Sequence, residues 1–145
     1  MTVKGSEIGH SSGNNVSVWM GTPLSVSGGG ILIVDGGTYQ GDKTLSTFTS
    51  GGKIIVNSGT FTGTVMNYAV TSSYTNYKYA EDDTSVNSVI EINGGVFSQC
   101  SFTCQSGTST TITGGTFSAD PTAYVDTTNY NVTESDSTWT VTAKN

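Results

Sequence analysis

Residues 112–121 read "ITGGTFSADP", and the same phrase occurs three times earlier as "IVDGGTYQGD" from Ile33, "IVNSGTFTGT" from Ile55 and "INGGVFSQCS" from Ile92. Aligning the copies on their aromatic residue brings Tyr39, Phe61, Phe97 and Phe117 into one column, at spacings of 22, 36 and 20 residues. Two spacings near twenty and one lengthened by an insertion are the signature of a solenoid. Ahead of the aromatic, Leu32, Ile54, Ile90 and Thr110 form one column, and Val34, Val56, Ile92 and Ile112 form another two residues on. Alternation at i and i+2 places both on one face of a strand. Ile33, Ile55, Glu91 and Thr111 fall on the opposite, wetter face.

Between strand and aromatic stands "DGG", "NSG", "NGG" or "TGG". Asp and Asn tolerate left-handed backbone and Gly adopts it freely, so the chain is expected to turn a corner here. The aromatic then points back inward and stacks on its counterpart one repeat away. Strand, corner and short second strand, repeated at about twenty residues and stacked about 4.8 Å apart, describe a coil of a parallel β-helix. No single coil can bury its own apolar side, which is why the phrase must be repeated. An antiparallel β-sandwich would require the turn similarity to be coincidental, although the columns agree in residue type as well as spacing.

Composition agrees with an all-β chain. Of 145 residues only 11% are charged, and β-branched and aromatic residues recur in short runs punctuated by Gly. The length suits one domain with a modest core. The expected organisation has three parts. Residues 1–30 form an N-terminal arm and an irregular first rung or cap, with Val16, Val18 and Met20 alternating as in a strand. Residues 31–119 form the rungs, interrupted by a tyrosine-rich insertion at 62–89. Residues 120–145, with Trp139 and Val141, form a C-terminal cap built as a hairpin or strand, because solenoid ends expose apolar rungs and unpaired backbone.

Charge excludes one class of partner. The net charge is −6, and five scattered lysines (Lys4, Lys43, Lys53, Lys78 and Lys144) are the whole cationic complement. A nucleic-acid surface needs clustered cations. No apolar run is long enough for a membrane span, and the segment "MTVKGSEIGHSSGNN" has no apolar signal core.

The unit "ITGGTFSADPTAYVD", followed by "YNVTESDSTWTV", resembles GGTF-type β-helix repeats in surface proteins of gut bacteria and their phages, over residues 31–142. The resemblance implies a single-stranded, right-handed parallel β-helix of about five to six rungs with terminal caps. A short chain without a leader resembles a phage structural protein, such as a capsid decoration or head-fibre subunit, more than a long anchored adhesin. The expected location is therefore the virion surface, with the bacterial cell surface as the alternative. The expected partners are a capsid or other virion protein and host polysaccharide or mucus glycan. Exposed solenoid ends and edges also favour homo-oligomers, a trimer among them.

Parallel β-helices also host glycan lyases and glycosidases. A lyase of this fold uses an Arg or Lys base near calcium, and the chain has no arginine. A glycosidase needs two carboxylates at a set separation, for which Asp35, Asp42, Glu91, Asp120 and Asp126 are the candidates. Asp35 aligns with Asn57, Asn93 and Thr113 and so reads first as a corner residue. His10 stands alone in a Gly/Ser stretch, and Cys100 and Cys104 cannot complete a zinc site between them. The two thiols are read either as buried rung fillers or as a local disulfide formed by a fold-back, with redox chemistry the remaining option. "SGGK" at 50–53 fails as a phosphate loop, because Thr47 replaces the first Gly and Ile54 the final Ser or Thr. "AEDD" at 80–83 reads as a solvated acidic tip rather than a calcium loop. Asn15 and Asn131 begin N-x-S/T triplets that carry meaning only on a secretory route. The expectation is a non-catalytic protein without cofactor or metal.

Candidate binding residues lie where the repeat breaks. Tyr68, Tyr74, Tyr77 and Tyr79 crowd the insertion among Asn and Ser, offering flat apolar faces and adaptable hydrogen bonds for a glycan or protein. Packing of these rings over the outside of the solenoid is the competing use. Trp19 and Met20, near the N-terminal end, divide between a cap core and a docking surface.

Overall fold

The computed structural model describes residues 2–4, 7–9, 23–26, 31–47, 52–67 and 88–145. These form an all-β structure whose strands are mostly parallel. The strands are β1 (Thr2–Lys4), β2 (Glu7–Gly9), β3 (Leu24–Val26), β4 (Ile31–Thr47), β5 (Lys53–Asn67), β6 (Val89–Ile92), β7 (Val96–Cys104), β8 (Ser109–Ile112), β9 (Gly115–Phe117), β10 (Tyr130–Ser135) and β11 (Thr138–Ala143).

Three parallel ladders run through the stack. In the first, Val3, Val34, Val56, Ile92 and Ile112 share one register position across β1, β4, β5, β6 and β8. In the second, Tyr39, Phe61, Phe97 and Phe117 are in register across β4, β5, β7 and β9. In the third, Leu24, Leu45, Val65 and Phe102 align across β3, β4, β5 and β7. Inward residues of the three ladders meet in a single buried cluster. The columns expected from the sequence are therefore the ones that pair, and every Val and Ile of the second column from Val34 to Ile112 is fully buried.

Side-chain shape explains why neighbouring segments stay in phase. The four rings stack nearly parallel, with centroids 5.2, 4.5 and 4.9 Å apart. That spacing matches the strand separation of a sheet, so ring stacking and backbone pairing are satisfied together. Tyr39 carries the one phenol in the column, and its hydroxyl donates to the Gly36 carbonyl at 2.7 Å. Burial pushes this phenol's pKa upward.

The corner works through glycine rather than through Asp or Asn. The last residue of each turn, at Gly37, Gly59, Gly95 and Gly115, has φ between 101° and 134°. A Cβ on Gly115 would also lie 3.0 Å from the Gly95 carbonyl oxygen of the neighbouring segment. Gly114 is required for a different reason, since a Cβ there would sit 2.5 Å from the Asn93 carbonyl oxygen. In β4 and β5 the chain stays extended through the corner, with register shifts beside Asp35, whereas farther along the corner separates β6 from β7 and β8 from β9.

Strands extend beyond the segments that the repeat pattern marks, and a hairpin closes the far end. Thr2–Lys4 and Glu7–Gly9, where composition reads as an arm, are strands paired parallel to β4. Thr62–Asn67, placed by sequence within the insertion, continue β5 and pair with β4 and β7. At the far end β11 pairs antiparallel with β9, and β10 completes a hairpin with it. Val141 is buried opposite Gly115, and Trp139 packs beside Phe117. The hairpin turns at Asp136 and Ser137, both at positive φ (51° and 60°), and the Ser137 amide donates to Glu134 Oε1 at 2.8 Å. That backbone sense matches the twist of a two-residue hairpin.

Candidate functional site

The repeated corner carries a polar ladder on the outside of the molecule. Asn57 Nδ2 donates to Asp35 Oδ1 at 2.6 Å, Asn93 Nδ2 donates to Asn57 Oδ1 at 3.0 Å, and Thr113 Oγ1 donates to Asn93 Oδ1 at 2.9 Å. Each member's hydrogen bond is made to the same position one segment away. Asp35 is thus an end member of a structural ladder, as its alignment with Asn57, Asn93 and Thr113 implied.

Three of the remaining candidate carboxylates, Glu91, Asp120 and Asp126, are each tied to a different local partner. Glu91 lies on the outward face and forms an ion pair of 2.7 Å with Lys53. Such an exposed pair contributes little to stability. Asp120 accepts from the Thr122 amide and hydroxyl, which hold its carboxyl below the usual range. Asp126 accepts from Asn129 Nδ2 and from the Thr128 amide, and is lowered in the same way. Asp42 is exposed. Among the described residues no three His, Cys, Asp or Glu side chains gather as a metal site.

Cys100 and Cys104 are free thiols. Both lie on β7, where four residues of extended chain separate their Cα atoms by about 13 Å, beyond disulfide reach. Cys100 is buried, and its amide donates to Ser118 Oγ at 2.8 Å. Cys104 takes part in a polar crossing of the interior. Thr47 Oγ1 donates to Asn67 Oδ1 at 2.8 Å, and Asn67 Nδ2 donates to Thr110 Oγ1 at 2.9 Å and to the Ser109 carbonyl at 3.0 Å. Thr110 Oγ1 in turn donates to Cys104 Sγ at 3.3 Å. This explains why Thr110 breaks a column of Leu and Ile: it receives the Asn67 amide. Asn67 had no signal in the sequence, since it falls outside every repeated column.

The outward face of the second ladder carries the Thr or Val that precedes the aromatic in each copy of the repeat. Thr38, Thr60, Val96 and Thr116 alternate with the stacked rings and are in mutual register. The row continues across the hairpin, because Thr140 lies opposite Thr116 and Thr133 opposite Thr140. Two residues along the strands runs a second row through Gln40, Thr62 and Ser98, in which the Thr62 and Ser98 hydroxyls are hydrogen-bonded at 3.0 Å.

Trp19, Met20, Tyr68, Tyr74, Tyr77 and Tyr79 all lie outside the described residues, as do His10 and the acidic stretch 80–83. No family model matches the chain, and no curated protein and no solved structure matches it either. The likeness to GGTF-type repeats accordingly rests on the quoted residues alone.

Proposed function

We propose that the chain is a right-handed parallel β-helix of about five to six rungs, and that it serves as a non-catalytic structural and binding protein, a decoration or head-fibre component of a phage virion. One observation carries this reading: each repeated position has a stacking task. The aliphatic columns fill the core, the rings stack, the glycines turn, and the Asp/Asn/Thr positions hydrogen-bond from segment to segment. A protein whose repeated residues all hold neighbours in phase is suited to rigid display.

In this reading the N-terminal segment with Trp19 and Met20 docks on a capsid or other virion protein. The loop bearing Tyr68, Tyr74, Tyr77 and Tyr79 meets host polysaccharide or mucus glycan. Copies associate as homo-oligomers, a trimer about the long axis being the arrangement to test first.

The deciding experiment labels purified particles and host envelopes with an antibody against the full chain, and incubates the protein with a glycan panel. Labelling of particles without release of reducing ends or unsaturated sugars is the expected result. Labelling confined to bacterial envelopes would replace the virion reading with that of an adhesin module. Sugar release would overturn the non-catalytic one.

A further inference from the structure

β10 is the last strand in the sheet order, and among the described residues it pairs only with β11. The Lys144 amide donates to the Asn129 carbonyl at 2.9 Å, which marks Asn129 as a position bonded toward β11. Such positions recur every second residue in an antiparallel pair, so Asn131, Thr133 and Ser135 also turn their backbone groups to β11. Tyr130, Val132 and Glu134 turn theirs the other way. The Tyr130 amide is taken by the Asp126 carbonyl at 3.0 Å. The N–H and C=O of Val132 and Glu134 have no partner among the described residues.

An open edge of this kind is a template for another strand. β10 lacks the usual protections, since its register with β11 runs without a bulge and it holds neither Pro nor Lys. The edge also has an apolar side. Val132 lies opposite the buried Val141, and both Val132 and Tyr130 pack against the core while staying partly exposed. Self-complementarity selects the occupant. When a second copy runs antiparallel about a two-fold axis at Thr133, Val132 faces Glu134 of that copy and Glu134 faces its Val132. These two pairs exchange four hydrogen bonds and use every open group of Val132 and Glu134. Thr133 then meets its own counterpart across the axis and Asn131 meets Ser135, which are favourable polar cross-strand pairs. An axis at Glu134 would set two carboxylates side by side. An axis at Val132 would oppose the Glu134 carbonyl to a Tyr130 amide already bonded to Asp126. A strand of unrelated sequence would match the backbone groups alone.

We propose that β10 pairs antiparallel with β10 of a second copy, joining two chains end to end through one continuous sheet. The same surface is used twice, so the contact closes on itself and assembly stops at a dimer. A six-residue edge with its flanking side chains buries on the order of 500 Å² per copy, the size of a transient rather than an obligate interface. The dimer therefore forms at high protein concentration. It uses neither Trp19 and Met20 nor the tyrosine-rich segment, so it stands or falls independently of the virion reading.

The test is sedimentation equilibrium of the full chain from about 10 μM to about 1 mM, with amide hydrogen exchange at both ends of that range. A shift from monomer to twice the chain mass is expected, and the Val132 and Glu134 amides should gain protection with it. Val132→Pro removes the outward N–H but no bond to β11, a place where an edge strand accepts proline. It is expected to stay monomeric with native circular dichroism. Thr133→Lys sets two cations across the axis and should weaken the dimer about tenfold or more, an effect relieved by salt. Should Val132→Pro fail to fold, this second variant carries the test. Thr142→Lys makes the same charge change one strand inward, on exposed β11, and should leave the dimer intact. Native protein that stays monomeric to the highest concentration would overturn the proposal. So would oligomers that persist undiminished in Val132→Pro and Thr133→Lys, or an equal loss in Thr142→Lys.

Discussion

Phe97 shows how much of the fold one side chain supports. It is 1% exposed and lies between two other rings, 4.5 Å from Phe61 and 4.9 Å from Phe117. Truncation cannot be relieved by collapse, because the backbone spacing of the adjacent strands is set by their own hydrogen bonds. Phe97→Ala is therefore expected to cost about 3–5 kcal/mol, and Phe97→Leu less. Its neighbour Val96 points outward, and Val96→Ala should change stability by no more than about 0.5 kcal/mol. Urea unfolding of the three variants checks this. Similar losses at positions 96 and 97 would contradict the assigned faces. At the same scale, Asn67 satisfies Thr47, Thr110 and the Ser109 carbonyl across the interior from a position with no repeated neighbour. The periodic residues were legible in the sequence because stacking imposes type and spacing together. Asn67 was not, because its partners lie about 20 and 43 residues away.

Among the elements, the C-terminal hairpin is held by turns that respond to acid. Asp120 and Asp126 both have pKa values lowered by hydrogen bonds that their carboxylates accept. A carboxyl depressed below its unfolded value near 3.9 contributes stability that is present above that pH and is lost as pH falls through the folded value. The segment joining β9 to β10 should thus loosen below about pH 4, before the ring stack does. Trp139 emission in a Trp19→Phe background should report this transition, and Asp120→Asn with Asp126→Asn should flatten it. An acid transition unchanged in the double variant would show that these turns do not govern the end. Sequence placed Trp139 and Val141 in a hairpin or strand because the end of a solenoid must be capped. The pairing of β11 with β9 is a long-range choice, made because β9 offers a free edge and Val141 can cover Gly115.

At the scale of the molecule, stability is a sum of contacts between adjacent segments. β5 has parallel partners on both sides along its length, β4 on one and β6 with β7 on the other. Among the described residues β8 pairs only with β6, while β9 is flanked by β7 and the hairpin. Opening β5 must break two ladders, whereas opening β10 breaks one antiparallel pairing with β11. Local opening should accordingly grow easier from the middle outward. Amide hydrogen exchange at neutral pH is expected to be slowest at Ile54, Val56, Ile90 and Ile92. Thr133 and Thr140, on the hairpin, should exchange faster, and Phe97→Ala should speed exchange in β5 and β7 more than in β10 and β11. Uniform protection from β4 to β11 would mean that the stack opens only as a whole, and that its ends are bound as firmly as its centre.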